Sequence, residues 1–400
     1  MMKKLILLLP ALLFFCAAAN AATPKLEPLP EDLRLLSKKG IDAIYAVDIP
    51  EAVKNFSAAL EKYPAHPYPH FGMAMTKWAT LEYLEDESDP KLEKEYEAMT
   101  DAAIEIGKAW LKKHPGDANA NLCLGGMYGL RARLAVLQHR WIKAYFDGRK
   151  ALSYTRKSVK IDPELYDAYL GLGMYEYYAG TLHGVIKVLA KLLMKGDARK
   201  GIEMLETCKE KGYFNALAAK LLLIEIYTTT GSPYVDSQSA VKWSKELRAA
   251  YPNHPQMHFV EIVSLYEDKQ YAESRREAMD YLKAVNEGRA PYRRRYLPRV
   301  LTAIATTYLV ENKYDEAADY FARAAATLKD DPKAHPARWG VWAIVRLGNV
   351  HDLKGLREKA LGYYREAAAY KDEWGFSESI ERYIKRPFAA AELPGQLPPP

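Results

Sequence analysis

Small, apolar and proline positions recur along the chain at one fixed set of offsets. A small residue is followed four positions later by an apolar or small one. Another comes three later, and a proline five beyond that. The set appears as Ala52, Phe56, Ala59, Pro64; as Ala103, Gly107, Trp110, Pro115; as Ala151, Thr155, Ser158, Pro163; and as Ala240, Ser244, Leu247, Pro252. Four more copies keep the first three positions without the proline, starting at Gly201, Ser274, Ala317 and Ala360. Positions at these offsets share one helical face. A small side chain there lets two helices approach closely. The proline is expected to end that helix and to open the next, where its missing N–H costs nothing.

A partner helix recurs ahead of several copies. Leu124-Gly125 with Tyr128, Leu172-Gly173, and Leu347-Gly348 precede three of them, and Tyr308 with Asn312 to Ala317 and Phe321 forms another unit. With these residues the chain resembles the tetratricopeptide repeat (TPR) family, whose unit is a helix pair of about 34 residues. The resemblance implies an all-α solenoid, a right-handed superhelix of about eight helix pairs over 36–388. The small residues at 52, 103, 151, 201, 240, 274, 317 and 360 stand 51, 48, 50, 39, 34, 43 and 43 apart. The early units therefore carry long insertions, expected as longer helices or an added one. The block Tyr166 to Tyr213, through Gly171, Gly173, Gly196, Asp197, Gly201 and Leu205, is similar to the tetratricopeptide-repeat 39-like group and its bacterial exported relatives.

The chain opens with Lys3 and Lys4, an apolar run from Leu5 to Ala19, and small residues at Ala19-Asn20-Ala21, which reads as a signal peptide over 1–21. The run is too short and too interrupted by Pro10 to span a bilayer. Cys16 raises a lipoprotein alternative, disfavoured by the bulky Phe15 before it. The expectation is an exported protein of a bacterial periplasm or cell envelope, with a 22–35 extension before the repeats and a Pro-rich disordered tail over 389–400. Cys123 and Cys208, which remain, fall in different repeats and are expected as buried free thiols.

Formal charge is +6 over 400 residues, too mild for a dedicated nucleic-acid binder. It is uneven, however: Gly129 to Lys200 holds fourteen Lys and Arg against six acids. Lys187, Lys191 and Lys195 form a stripe of a basic amphipathic helix, and Arg293, Arg294 and Arg295 a second cluster; both are candidate contacts to an anionic membrane surface. An array of helix pairs presents a concave face from the first helix of each pair. Phe71, Met75 and Trp78, then Leu170, Met174, Tyr177 and Tyr178, and Asn349 at the far end, are the candidate groove residues. Aromatics and methionine there suit a protein or peptide guest; the competing reading is that inserted helices fill the groove.

Catalytic motifs are absent from the sequence. His254 and His258 have the spacing of metal ligands on a helix, but no Glu follows His254 and Pro255 does, and His66 and His70 are interrupted by prolines. No catalytic, cofactor-binding or metal residue is assigned. The leading expectation is an exported, non-catalytic scaffold for a protein or peptide partner. The alternatives are a peripheral membrane protein held by the basic segments and an α-helical hydrolase.

Overall fold

The computed structural model describes residues 26–81, 90–138, 140–181, 196–229, 231–329, 338–370 and 375–393. The signal-peptide residues, Cys16, the Lys187–Lys191–Lys195 stripe and residues 394–400 of the tail lie outside them. Among the described residues there are seventeen α-helices and no strand. They run α1 (Glu31–Tyr45), α2 (Ile49–Lys62), α3 (Pro67–Ala79), α4 (Pro90–Lys113), α5 (Ala118–Leu137), α6 (Trp141–Ile161), α7 (Tyr169–Thr181), α8 (Ala198–Lys211) and α9 (Ala216–Tyr227). They continue as α10 (Ser237–Ala250), α11 (Pro255–Glu267), α12 (Tyr271–Asn286), α13 (Leu297–Val310), α14 (Tyr314–Ala326), α15 (Arg338–Leu353), α16 (Arg357–Ala368) and α17 (Ser377–Lys385). Sixteen of them form eight consecutive pairs in a TPR-like solenoid, and α17 follows as a cap.

The recurrent small residues all fall on the second helix of a pair, and they mark where two backbones meet. Ala52, Ala103, Ala240, Ser274, Ala317 and Ala360 are buried. The closest approach is between α7 and α8, where a Cβ on Gly173 would stand 2.8 Å from the Gly201 carbonyl oxygen, and one on Gly201 would stand 2.5 Å from the Tyr177 amide nitrogen. Cys123 and Cys208 are buried free thiols.

The repeat prolines do one of the two expected jobs. Pro64, Pro115, Pro163 and Pro252 sit in the turns after a helix and do not open the next one. The helix starts are made by other residues. Pro67 and Pro255 occupy the first helical turn of α3 and α11, behind His66 and His254, whose Nδ1 atoms accept the Tyr68 and Gln256 amide N–H at 3.2 and 3.1 Å. Asp117, Asp197 and Asp236 cap α5, α8 and α10 in the same way. Part of the early length is in the helices: α4, α5 and α6 have 24, 20 and 21 residues, against 12 to 16 for the pairs from α9 onwards, while in the fourth unit the extra residues 182–195 lie outside the described residues.

The first helix begins at Glu31, five residues ahead of the expected 36, straight after Pro30. It does more than open the stack. Residues 27–45 lie across the turns that join one pair to the next. Glu27 meets His114 at 2.7 Å, Asp32 accepts hydrogen bonds from Lys62 and the Tyr63 hydroxyl, Arg34 stacks 4.2 Å over Tyr213, and Tyr45 meets Tyr251. Phe214, in the turn before α9, is buried in one apolar cluster with Leu33, Ile41, Phe56, Tyr68 and Cys123, and its ring lies 5.2 Å from Tyr68. The first five pairs thus close into a cup whose floor is α1 with these turns.

At the other end Phe376, Ile380, Tyr383 and Phe388 cover Val341, Trp342 and Val345 of α15. The Phe388 amide donates to Asp352 at 2.8 Å, and Arg357 donates to the carbonyls of Tyr383 and Ile384. Part of the expected tail is therefore built into the fold: Arg386 pairs with Glu392, and Leu393 packs on the last units.

Candidate functional site

The first helices of pairs two to five, α3, α5, α7 and α9, start at the floor of the cup and end at the opposite rim. Their last turns bring together side chains that are up to 147 positions apart in the sequence. Trp78 of α3 lies under the Arg133 guanidinium of α5, 5.0 Å from carbon to ring centre. Tyr178 of α7 donates its hydroxyl hydrogen to Glu225 Oε1 of α9 at 3.1 Å. The Arg133 charge acts on both members of that pair. Although its carboxylate reaches solvent, Glu225 stands among protein atoms inside the cup. That desolvation raises its pKa, against the opposing pulls of the Tyr178 hydrogen bond and Arg133. Desolvation and the facing Glu225 hold the Tyr178 phenol well above its ordinary range.

The candidate groove residues divide by their register on each helix. Leu170, Met174 and Tyr178 follow one another at four-residue intervals; Leu170 is half-buried, while Met174 and Tyr178 are 40% and 42% exposed. Tyr177 is one position off that row and is 6% exposed, with its backbone against Gly201 and its ring edge-on to Tyr178 and Tyr234. It is core and not a groove contact. Asn349 is likewise not a groove residue. It is fully buried, donates from Nδ2 to the Tyr364 hydroxyl at 2.9 Å and accepts from Arg346 at 3.2 Å. The last units are closed there by the packing of α16 and α17.

On α3, Phe71, Met75 and Trp78 are half-buried. Phe71 fills the space left by Gly126 of α5, and Trp78 packs on Tyr96 of α4 at 5.3 Å. They are covered by neighbouring long helices in part and form the wall of the cup. Arg293 and Arg294 are exposed in the turn before α13 and Arg295 is half-buried; in the chain they lie far from the rim residues.

Arg133 and Glu225 are the rim residues that reading the sequence missed. Each shares its helix with one other charge, Arg131 on α5 and Lys220 on α9, among positions that are largely apolar or small. Neither charge stands at a landmark of the repeat pattern, so no feature of the sequence singles it out.

The fold defines a helical-repeat solenoid, and the rim gathers side chains of four successive inner helices. The sequence model of the tetratricopeptide repeat matches residues 300–334, which span α13 and α14. The other pairs repeat the same helix-pair architecture. Among solved structures the chain is similar to yeast Tom70 at 13% identity, over 89% of both chains, with a TM-score of 0.40. It is also similar to human IFIT1, seen as a dimer with PPP-AAAA, at 12% identity over 91% of this chain and 88% of that one, with a TM-score of 0.45. A tetratricopeptide repeat protein from Parabacteroides merdae gives 14% identity over 89% and 98%, with a TM-score of 0.25. No curated protein matches the sequence.

Proposed function

We propose that this chain is an exported, non-catalytic scaffold of the cell envelope that holds a protein or peptide segment at the rim of its cup. Tetratricopeptide repeats are protein-interaction modules, and that general role is the starting point. The observation that carries the finer reading is the convergence of Trp78, Arg133, Met174, Tyr178 and Glu225 from four successive inner helices onto one open face. Exposed aromatic and thioether surface offers contact area at low entropic cost. One cation and one carboxylate at its edge supply orientation. A guest suited to it carries an apolar anchor flanked by polar or charged groups. The N-terminal residue pattern supports export.

A photo-crosslinking residue in place of Met174, tested in envelope preparations, is expected to join one partner reproducibly. The same group in place of the exposed Glu316, on the second helix of the seventh pair, is expected to leave that partner unlabelled. Tyr178→Ala should weaken the crosslink from Met174 by about tenfold, as for a central aromatic contact. Equal labelling from both positions would sink the reading.

A further inference from the structure

The outward face of α6 carries a second surface that the rim does not use. We propose that it binds the surface of an anionic phospholipid bilayer, independently of the partner at the rim. At the α5–α6 turn Trp141, Ile142 and Phe146 are 61%, 77% and 56% exposed, and Val136 and Tyr145 lie exposed beside them. Single exposed apolar residues need no explanation, but a contiguous group of this kind marks an interaction surface.

The apolar group continues into a cationic one along the same stripe. Ile142, Phe146, Arg149, Ser153, Arg156 and Lys160 follow at three- and four-residue steps, so they share one face of a 21-residue helix. From 141 to 161 there are six cations and one acid, and the acid, Asp147, is buried in a pair with Arg131. Arg149, Leu152, Ser153, Arg156, Lys157 and Lys160 line a cleft of about 400 Å³. Among the described residues none of Arg149, Lys150, Arg156, Lys157 and Lys160 has a carboxylate within ion-pair distance. Arg149, Lys150, Arg156 and Lys157 lie over the rings of Tyr145, Tyr128, Tyr175 and Tyr154. Among the described residues, three acids of α4 are already engaged: Glu93 with Gln138, Glu95 with Lys77, and Glu97 with Arg140 and Lys143.

Charge selects the occupant. Unpaired cations in line with exposed Trp, Tyr, Ile and Phe match the boundary of an anionic bilayer, where phosphates lie next to acyl chains and aromatic rings prefer to sit. No described helix is long and apolar enough to cross a membrane, so the contact is to its surface. The apolar turn enters the headgroup layer and the cleft takes lipid phosphate.

The test is flotation of the full chain with vesicles of mixed phosphatidylglycerol and phosphatidylcholine, against phosphatidylcholine alone. Binding is expected to the mixed vesicles and to weaken with salt. Ile142→Glu with Phe146→Glu should lower the partition at least about tenfold with an unchanged melting curve, because both side chains already face solvent. Lys150→Gln, Arg156→Gln and Lys157→Gln should each lower it about fivefold on the mixed vesicles. A chain that ignores both vesicles overturns the proposal. So does full release by phosphate at matched ionic strength with the Glu variant binding as the parent does, since the cleft would then be a site for free phosphate. Neither result bears on crosslinking from Met174, which reports the rim alone.

Discussion

Two buried histidines weaken the fold in acid. His254 and His258 sit one helical turn apart on α11, and burial, aided by the nearby charges of Arg299 and Arg248, lowers their pKa values to about 4 and about 3. His258 Nδ1 shares a hydrogen bond of 3.0 Å with the Tyr292 hydroxyl. In the unfolded chain both titrate near about 6.5. Above that pH neither state gains a proton and stability is unaffected. Below it the unfolded state is protonated first, so the fold loses about 1.4 kcal/mol per pH unit for each histidine until the folded pKa is reached. His258→Gln should halve the slope of unfolding free energy against pH between about 6 and 4.5, measured by denaturant titration. An unchanged slope would contradict the assignment.

The same scale shows what the sequence disclosed and what it concealed. The small residues announced backbone contact, and Gly201 makes it. Gly201→Leu meets main-chain atoms of α7 that cannot turn aside, so a loss of about 3 kcal/mol or more is expected in the denaturation midpoint. Tyr177 and Tyr178 were indistinguishable in the sequence, because adjacent aromatics in a helix differ only by a rotation of about 100°. Which one faces the cup depended on where α8 lies, and the positions between the two helices carry no landmark. Asn349 was misplaced for a related reason: its polarity suggested an open face, while Tyr364 and Arg346 satisfy it inside.

At the level of elements, the repeat signature located nearly every pair but misread its punctuation. Proline marked the turns, whereas the helix starts depend on capping side chains, His66 and His254 ahead of a second proline and Asp117, Asp197 and Asp236 without one. His66→Ala is expected to cost about 1 kcal/mol through loss of the cap on α3, read as a lower melting temperature. The closing helix was not legible, since α17 is a nine-residue piece outside the repeat pattern. It nevertheless shields α15. Truncation before Gly375 should expose Val341, Trp342 and Val345 and raise amide exchange in α15 and α16, with α3 to α5 unaffected.

For the whole molecule, contacts between distant pairs change how the solenoid unfolds. A repeat array usually depends on neighbours alone, and its units can open one by one. Here α1 spans the turns of later pairs, and Phe214 joins the cluster of the first ones. Phe214→Ala should therefore cost about 3 to 5 kcal/mol and loosen α1 and α2, whose residues lie more than 150 positions away. Hydrogen exchange would reveal the coupling as lost protection in α1. Loss confined to α8 and α9 would show that the early pairs behave as a simple stack. None of this was visible in the unit spacing, which records neighbours and is blind to a strap laid across them.

That strap also limits what can be held. A tube open at both ends lets a long polypeptide thread through it at any point along its length. A vessel with a sealed bottom receives only what stops or doubles back, such as a terminus or the tip of a loop. On the proposed binding at the rim, the placement of α1 favours a terminus or loop tip as guest, because a continuous extended strand would have to leave by the way it entered.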